Sequence, residues 1–245
     1  MPGLAHLWPI RFAPTVHARL PGRRGDRFRE EAKLKFRAGK TSRDRGHIMR
    51  IMQHFVLWHL GITKAWTSRT PAECNCLERY AAGKKRLVEI GCWYGVNTRR
   101  LRGVMAPDGV LFGVDPYPPG RLGFSAIRYI AMREVAKMPN GHMRWIRETD
   151  AQAARVLRAA GEKPVDFLFI DAVNSYDGLR TTWEAWRPLV APGGVVVLGD
   201  SRASASRPID NLGSAVYARE VVRQDPDFAV VEAVDTLTVF RRGGA

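Results

Sequence analysis

Residues 87–98 read LVEIGCWYGVNT. A short apolar run carrying one acid, Glu89, stops at Gly91; three large side chains follow, and a second glycine, Gly95, opens onto the polar pair Asn97-Thr98. An unbroken apolar run of this length is the pattern of a strand buried on both faces, as in a parallel sheet. Ligands of doubly wound sheets bind beyond the C-terminal ends of the strands. Bare backbone at Gly91 and Gly95 is therefore expected to let a ligand lie close. The spacing also excludes a reading. A dinucleotide fingerprint, G-x-G-x-x-G, sets glycines close together so that a pyrophosphate can sit on the helix N-terminus. Here G-C-W-Y-G puts bulk between them, so the loop suits a cofactor that lacks a pyrophosphate.

Working outward, strands and helices alternate on both sides. Upstream, Ile48, Ile51, Met52, Phe55, Val56 and His59 recur at three- and four-residue spacing, which predicts one apolar helix face in residues 42–61. A helix is also expected over 27–40 and a third over Pro71–Ala82. Downstream, VLFGVD (110–115), MRWIRE (143–148), VDFLFID (165–171) and GGVVVLGD (193–200) read as strands, each separated from the next by a helical pattern. The style then changes to a helix over 213–225 and two strands, FAVVEAV and TLTVFRR, close enough to pair as an antiparallel hairpin. The expected fold is α/β: a doubly wound, Rossmann-like sheet of seven strands, mostly parallel, closed by that hairpin and preceded by a helical N-terminal extension. The expected division is a basic arm with helices over 1–65 and a ligand-binding domain over 66–245.

Composition bounds the rest. With 245 residues, 45% hydrophobic and 26% charged, the chain has the make-up of a globular protein with a true core. No apolar run approaches a membrane span. The first residues carry His, Arg and prolines where a signal peptide needs an uninterrupted apolar segment, so a cytoplasmic location is expected. Three cysteines argue against a disulfide framework, and the C-x-C at Cys74 and Cys76 has no partner pair for zinc. Of the formal charge of +15, residues 1–50 contribute +9, from 13 Lys/Arg against 4 Asp/Glu. That basic arm admits an anionic partner such as RNA, an acidic lipid surface or a phosphorylated substrate, but a solvated arginine-rich tail is the favoured reading. Residues 1–25 have the composition of a disordered arm. The apolar face at 48–59 suggests a homodimer through the N-terminal helices.

The stretch Glu89-Ile-Gly91-x-x-x-Gly95-x-Asn97-Thr98 resembles the first motif of the class I S-adenosylmethionine-dependent methyltransferases. The likeness continues through VLFGVDPYPPG, RETDAQ, FIDAVNSYDG and APGGVVVLGDS in the family's order, over roughly residues 71–242. It is most similar to the small-molecule O-methyltransferase branch called methyltransferase family 24. The resemblance implies a cofactor, S-adenosylmethionine, and roles by position. Gly91 and Gly95 match the glycines against which its methionine part lies. Glu89 matches the acid that supports the turn and the cofactor's cationic end. Asn97 and Thr98 match positions near its carboxylate, and Asp115 the acceptor of both ribose hydroxyls. Asp150 and Ala151 match the adenine contact, Asp150 serving equally well as a helix cap, and Asp171 stands close to the transferred methyl.

The pattern departs from the branch where chemistry is expected. The branch reads D-G-D-H-S-Y after the fourth strand and H-D after the fifth; this chain has Asp171-Ala-Val173-Asn174-Ser175-Tyr176 and Gly199-Asp200-Ser201. Related metal-dependent enzymes hold Mg²⁺ on acids matching Asp171 and Asp200 plus a third Asp or Asn, where Ser201 is a poorer ligand. The expected metal ligands, if Mg²⁺ is used, are Asp171 and Asp200. The acceptor hydroxyl must lose its proton in the transfer, and the catalytic candidates are Asp171, Asp200 and Tyr176. Trp93, Tyr117, Phe124 and Trp183 are candidates for the acceptor pocket, with core the better reading for Trp183 and Trp186; Arg121, Arg202 and Arg207 suit an acidic acceptor. The expected activity is methylation of a small molecule, a sugar or secondary metabolite, at oxygen. The alternatives are an RNA methyltransferase using the basic arm and a cofactor binder that has lost catalysis.

Overall fold

The structure is a computed structural model that describes residues 42–120 and 123–244. Expectations for 1–41, including the helix over 27–40, and for Arg121 lie outside these residues, as do those for the side chains of His47 and Ile48. One compact unit spans Lys40–Ala245.

The strands are β1 (Arg86–Ile90), β2 (Val110–Val114), β3 (His142–Ile146), β4 (Val165–Ile170), β5 (Val190–Leu198), β6 (Phe228–Val234) and β7 (Leu237–Arg242). They form one seven-stranded sheet in the order β3-β2-β1-β4-β5-β7-β6. β1 pairs in parallel with both β2 and β4, while β7 is antiparallel to β5 and to β6. The expected seven-strand, hairpin-closed architecture is what forms. The order reverses between β1 and β4, and ligands of doubly wound sheets bind beyond the C-terminal strand ends at such a switch point.

The helices are α1 (Ser42–His59), α2 (Pro71–Ala81), α3 (Val96–Val104), α4 (Ala126–Ala136), α5 (Asp150–Ala159), α6 (Tyr176–Trp186) and α7 (Gly213–Glu220). Because strand side chains alternate between faces, each buried strand feeds two cores. Val88, Ile90, Leu168, Ile170, Val196 and Leu198 pack beneath α5, α6 and α7. Leu87, Phe167, Phe169, Val195 and Val197 pack with α2 and α3 on the other face. Trp183 and Trp186 are in the first of these cores, as the helical spacing suggested.

α2 starts sharply because Thr70 and Glu73 form a reciprocal capping box, with Pro71 in the first turn. That fixes Arg69, the residue before the cap. α1 differs from its expected register. Met52 and Val56 face solvent, and the buried position is His54, 2% exposed. Aromatic contacts set this rotation. His54 stacks on Trp66 at 3.8 Å and meets Tyr94 edge-on at 5.0 Å. Trp58 Nε1 donates to Glu134 on α4 at 2.8 Å. The helix follows these ring contacts and a polar anchor, which hydrophobic spacing alone does not weigh.

Candidate active site

Four strand ends, those of β1, β2, β4 and β5, bring the candidate residues together. Glu89 lies inside β1 and is fully buried, and neither carboxylate oxygen has a hydrogen-bond partner among the described residues. Burial pushes its carboxyl up to about 8, and the Thr98 hydroxyl beside it opposes the shift only in part. An unpaired buried carboxylate is costly unless a cation or donor meets it. Thr98 is itself buried, without a partner for its hydroxyl. It therefore belongs to the floor under Glu89, while Asn97 stands outside it and accepts from Thr67 Oγ1 at 3.3 Å.

The two glycines answer first to the chain's own packing. Gly91 has φ +90°, and a Cβ there would lie 2.9 Å from the backbone of Asp171 at the end of β4. Gly95 has φ +76°, and its Cβ would meet the backbone of Ala131 on α4 at 2.8 Å. Both need the left-handed conformation that glycine adopts without strain. The expectation that they are bare for a ligand's sake thus has a second cause: the turn wedges between β4 and α4. Of the bulky residues between them, Trp93 is 41% exposed, whereas Tyr94 is buried beneath α1.

Asp115 follows β2 and ties two loops together. Its Oδ2 accepts from the Trp93 amide at 3.0 Å and its Oδ1 from the Tyr117 amide at 2.9 Å. Burial pushes its carboxyl up while those amides hold it back. Each oxygen keeps a second lone pair for a hydroxyl. Trp93 (φ 45°), Tyr117 (φ 41°) and Asp200 (φ 47°) all have left-handed backbones just past strand ends. Asp235, in the turn between β6 and β7, has the same conformation (φ 46°). Asp150 opens α5, but the cap residue is Thr149. The Asp150 carboxylate accepts from Thr182 at 2.9 Å and its carbonyl from Trp186 at 2.8 Å, so it braces α5 on α6.

Asp171 and Asp200 do converge, on a residue that sequence reading did not single out. Arg69 Nη2 donates to Asp171 Oδ1 at 2.7 Å and to Asp200 Oδ1 at 2.9 Å, and Nη1 donates to Thr236 Oγ1 at 2.9 Å. Its side chain is 1% exposed, with Glu73 Oε1 3.5 Å away. Burial raises the Asp171 carboxyl, against the pull of Arg69, to about 7. Burial acts on Asp200 in the same direction, but Arg69 and Arg207 outweigh it and hold that carboxyl below the usual range. Arg207 binds both Asp200 oxygens, at 2.9 and 3.1 Å. It serves an internal carboxylate where an acidic acceptor was expected. Asp171 Oδ2 has no hydrogen-bond partner among the described residues, and its side chain is 13% exposed.

The remaining candidates do not join this cluster. Tyr176 packs edge-on against Tyr217 at 5.0 Å, and no hydrogen bond ties its hydroxyl to either acid. Ser201 turns inward, with Oγ 2.8 Å from Thr238 Oγ1 and 3.0 Å from the Leu198 carbonyl. Tyr117 is buried and donates to the Trp93 carbonyl at 3.0 Å, so it supports the loop and lines no opening. A divalent ion does not fit this donor set: a buried guanidinium already holds one oxygen of each acid, and the third position faces away. Among the described residues no group of three or more His, Cys, Asp or Glu is placed to hold a metal. Arg69 and Thr236 left no sequence signal, because each acts on residues more than thirty positions distant in the chain.

Residues 88–201 match the family model described as a methyltransferase domain. Among solved structures, a Corynebacterium glutamicum protein aligns over 89% of this chain and 98% of its own, at 17% identity and TM-score 0.58. The O-methyltransferase TomG of Streptomyces achromogenes, involved in tomaymycin synthesis and solved with S-adenosylmethionine, aligns over 88% and 96%, at 16% identity and TM-score 0.56. An O-methyltransferase of Bacillus cereus, solved with S-adenosylhomocysteine, aligns over 88% and 97%, at 14% identity and TM-score 0.54. At these identities the structures speak for the fold. No curated protein matches the sequence. The sheet order agrees with the fold of these structures, and the match to a methyltransferase domain spans residues 88–201. S-adenosylmethionine is the expected methyl donor, and it is the ligand of the TomG structure. The site fits that cofactor: an unpaired buried acid lies under the β1 turn, and a second acid with spare lone pairs ends β2. No helix among the described residues is long and apolar enough to cross a membrane.

Proposed function

We propose that the protein transfers the methyl group to a hydroxyl oxygen of a small molecule. The observation that carries this reading is Asp171. One of its oxygens is anchored by Arg69 and the other has no partner among the described residues, at the end of β4 beside the glycine turn. When bound, S-adenosylmethionine supplies a sulfonium methyl; the carbon–sulfur bond breaks as the oxygen–carbon bond forms, and the acceptor's proton must go to a base. Asp171 Oδ2 is the group placed to take it, because an anchored carboxylate with one free oxygen offers a fixed acceptor. Asp200, held ionised by two guanidinium groups, is a weak base and serves to position Arg69. Tyr176 has no role in this reading.

Glu89 holds the cofactor's ammonium end over the β1 turn, with Gly91 and Gly95 shaping the backbone and Asn97 near its carboxylate. Asp115 accepts the ribose hydroxyls, and Asp150 with Ala151 borders the adenine. A cavity of about 230 Å³ lies between α1 and the cofactor turn, lined by Arg50, Ile51, Trp66, Trp93, Tyr94 and Ile127. Aromatic walls beside one guanidinium suit a flat acceptor, and we place it there. A cytoplasmic location and pairing through the exposed side of α1, where Met49, Met52 and Val56 face solvent, accord with this reading.

Calorimetric titration with S-adenosylhomocysteine tests the cofactor half, with one site per chain expected. Transfer of a labelled methyl group to a panel of phenols and sugars tests the rest. Binding without turnover on any acceptor, or turnover undiminished in Asp171→Asn, would overturn the proposal.

A further inference from the structure

Where the related metal-dependent enzymes place Mg²⁺, this chain places its own cation. Both Oδ1 atoms, of Asp171 and Asp200, converge on a single nitrogen, Arg69 Nη2, at 2.7 and 2.9 Å. The guanidinium reaches them from the residue before the cap of α2, is 1% exposed, and is backed by Thr236 and Glu73. Mg²⁺ demands near-octahedral oxygen ligands and keeps several waters. A buried arginine leaves room for neither, and it cannot lose its charge.

Two further features accord with a rebuilt centre. A Cβ at Gly199 would lie 2.4 Å from Asp171 Oδ1. That oxygen is anchored by Arg69 and cannot swing aside without losing its bond, so the side chain found at this position in the resembled branch has no space here. Ser201, at the third ligand position, points its hydroxyl into the hairpin instead. The arrangement therefore couples Arg69, Asp171 and Gly199: fixing the acid on the guanidinium fills the space at Gly199.

We propose that Arg69 is a built-in replacement for the divalent ion, holding the two strand-end carboxylates together so that methyl transfer proceeds without a metal. This rests on reading Asp171 and Asp200 as the reacting end of the site. Arg69 is a positioning residue: its side chain is 1% exposed and it acts through the two acids. It follows that nothing here lowers the acceptor's pKa by coordination, so the hydroxyl is deprotonated by Asp171 alone, which favours an acidic hydroxyl such as a phenol.

The test uses Mn²⁺ as probe on the full chain, read by electron paramagnetic resonance of the free ion. Wild type is expected to leave the Mn²⁺ signal undiminished, and its affinity for S-adenosylhomocysteine should change by less than about twofold between chelator and millimolar Mg²⁺. Arg69→Met, which bares both carboxylates, should take up one Mn²⁺ per chain and lose it again when Asp171→Asn is added. Arg69→Lys keeps a cation in place and should not gain the ion. Stoichiometric Mn²⁺ binding by wild type that Asp171→Asn abolishes overturns the proposal, as does a folded Arg69→Met that binds none. If Arg69→Met fails to fold, wild type and Arg69→Lys decide. Failure of wild type to bind S-adenosylhomocysteine would instead sink the functional reading and leave the Mn²⁺ result standing.

Discussion

Cofactor affinity should depend on pH through Glu89. Its carboxyl is fully buried, unpaired, and pushed up to about 8. In the free protein at about pH 7 roughly nine-tenths of it is therefore protonated. A bound ammonium group needs the ionised form, so binding should release close to one proton. Affinity for S-adenosylhomocysteine, whose ammonium stays charged throughout, should rise about tenfold between roughly pH 6 and pH 7 and level off near pH 8. The free protein should show the opposite trend. Its folded-state carboxyl lies above the unfolded value of 4.5, so the native state binds more protons between that value and about 8. Stability is then lost as pH rises through that window. Calorimetry in two buffers of different ionisation enthalpy counts the protons released. Glu89→Gln, which cannot ionise, should bind with a flat pH profile. Proton-neutral binding by wild type, or an unchanged slope in Glu89→Gln, would refute the assignment of Glu89 to the cofactor's cationic end.

Other outcomes follow from the same geometry. Asp115→Ala should weaken S-adenosylhomocysteine binding by about tenfold or more, since a charged hydrogen-bond acceptor contributes roughly 1.5–3 kcal/mol; an unchanged dissociation constant would remove the ribose assignment. Trp183 is 2% exposed and packs edge-on against Phe228 at 4.8 Å, so Trp183→Ala should cost about 3–5 kcal/mol in denaturant unfolding. Thr70→Ala breaks the capping box and the bond to Asp235 at 2.6 Å. It should cost about 1–2 kcal/mol, and a loss within experimental error would show that the cap does not set the start of α2.

The division between sequence and structure follows the range of the interactions. Strand and helix identities were legible because burial on both faces writes continuous apolar runs such as VDFLFID and GGVVVLGD, and each run is local in the chain. The acids at strand ends, Glu89, Asp115, Asp171 and Asp200, were legible for the same reason, since each stands just inside or just past such a run. The facing of α1 was not, because His54 and Trp58 are fixed by Trp66, Tyr94 and Glu134, which apolar spacing does not register. The sequence by itself determined a seven-stranded, hairpin-closed sheet with a glycine turn after its first strand. Only the tertiary structure decided what meets the acids that follow β4 and β5. There Arg69 meets Asp171 across 102 positions and Asp200 across 131. A guanidinium can bridge residues so far apart only after the sheet has brought their strand ends together.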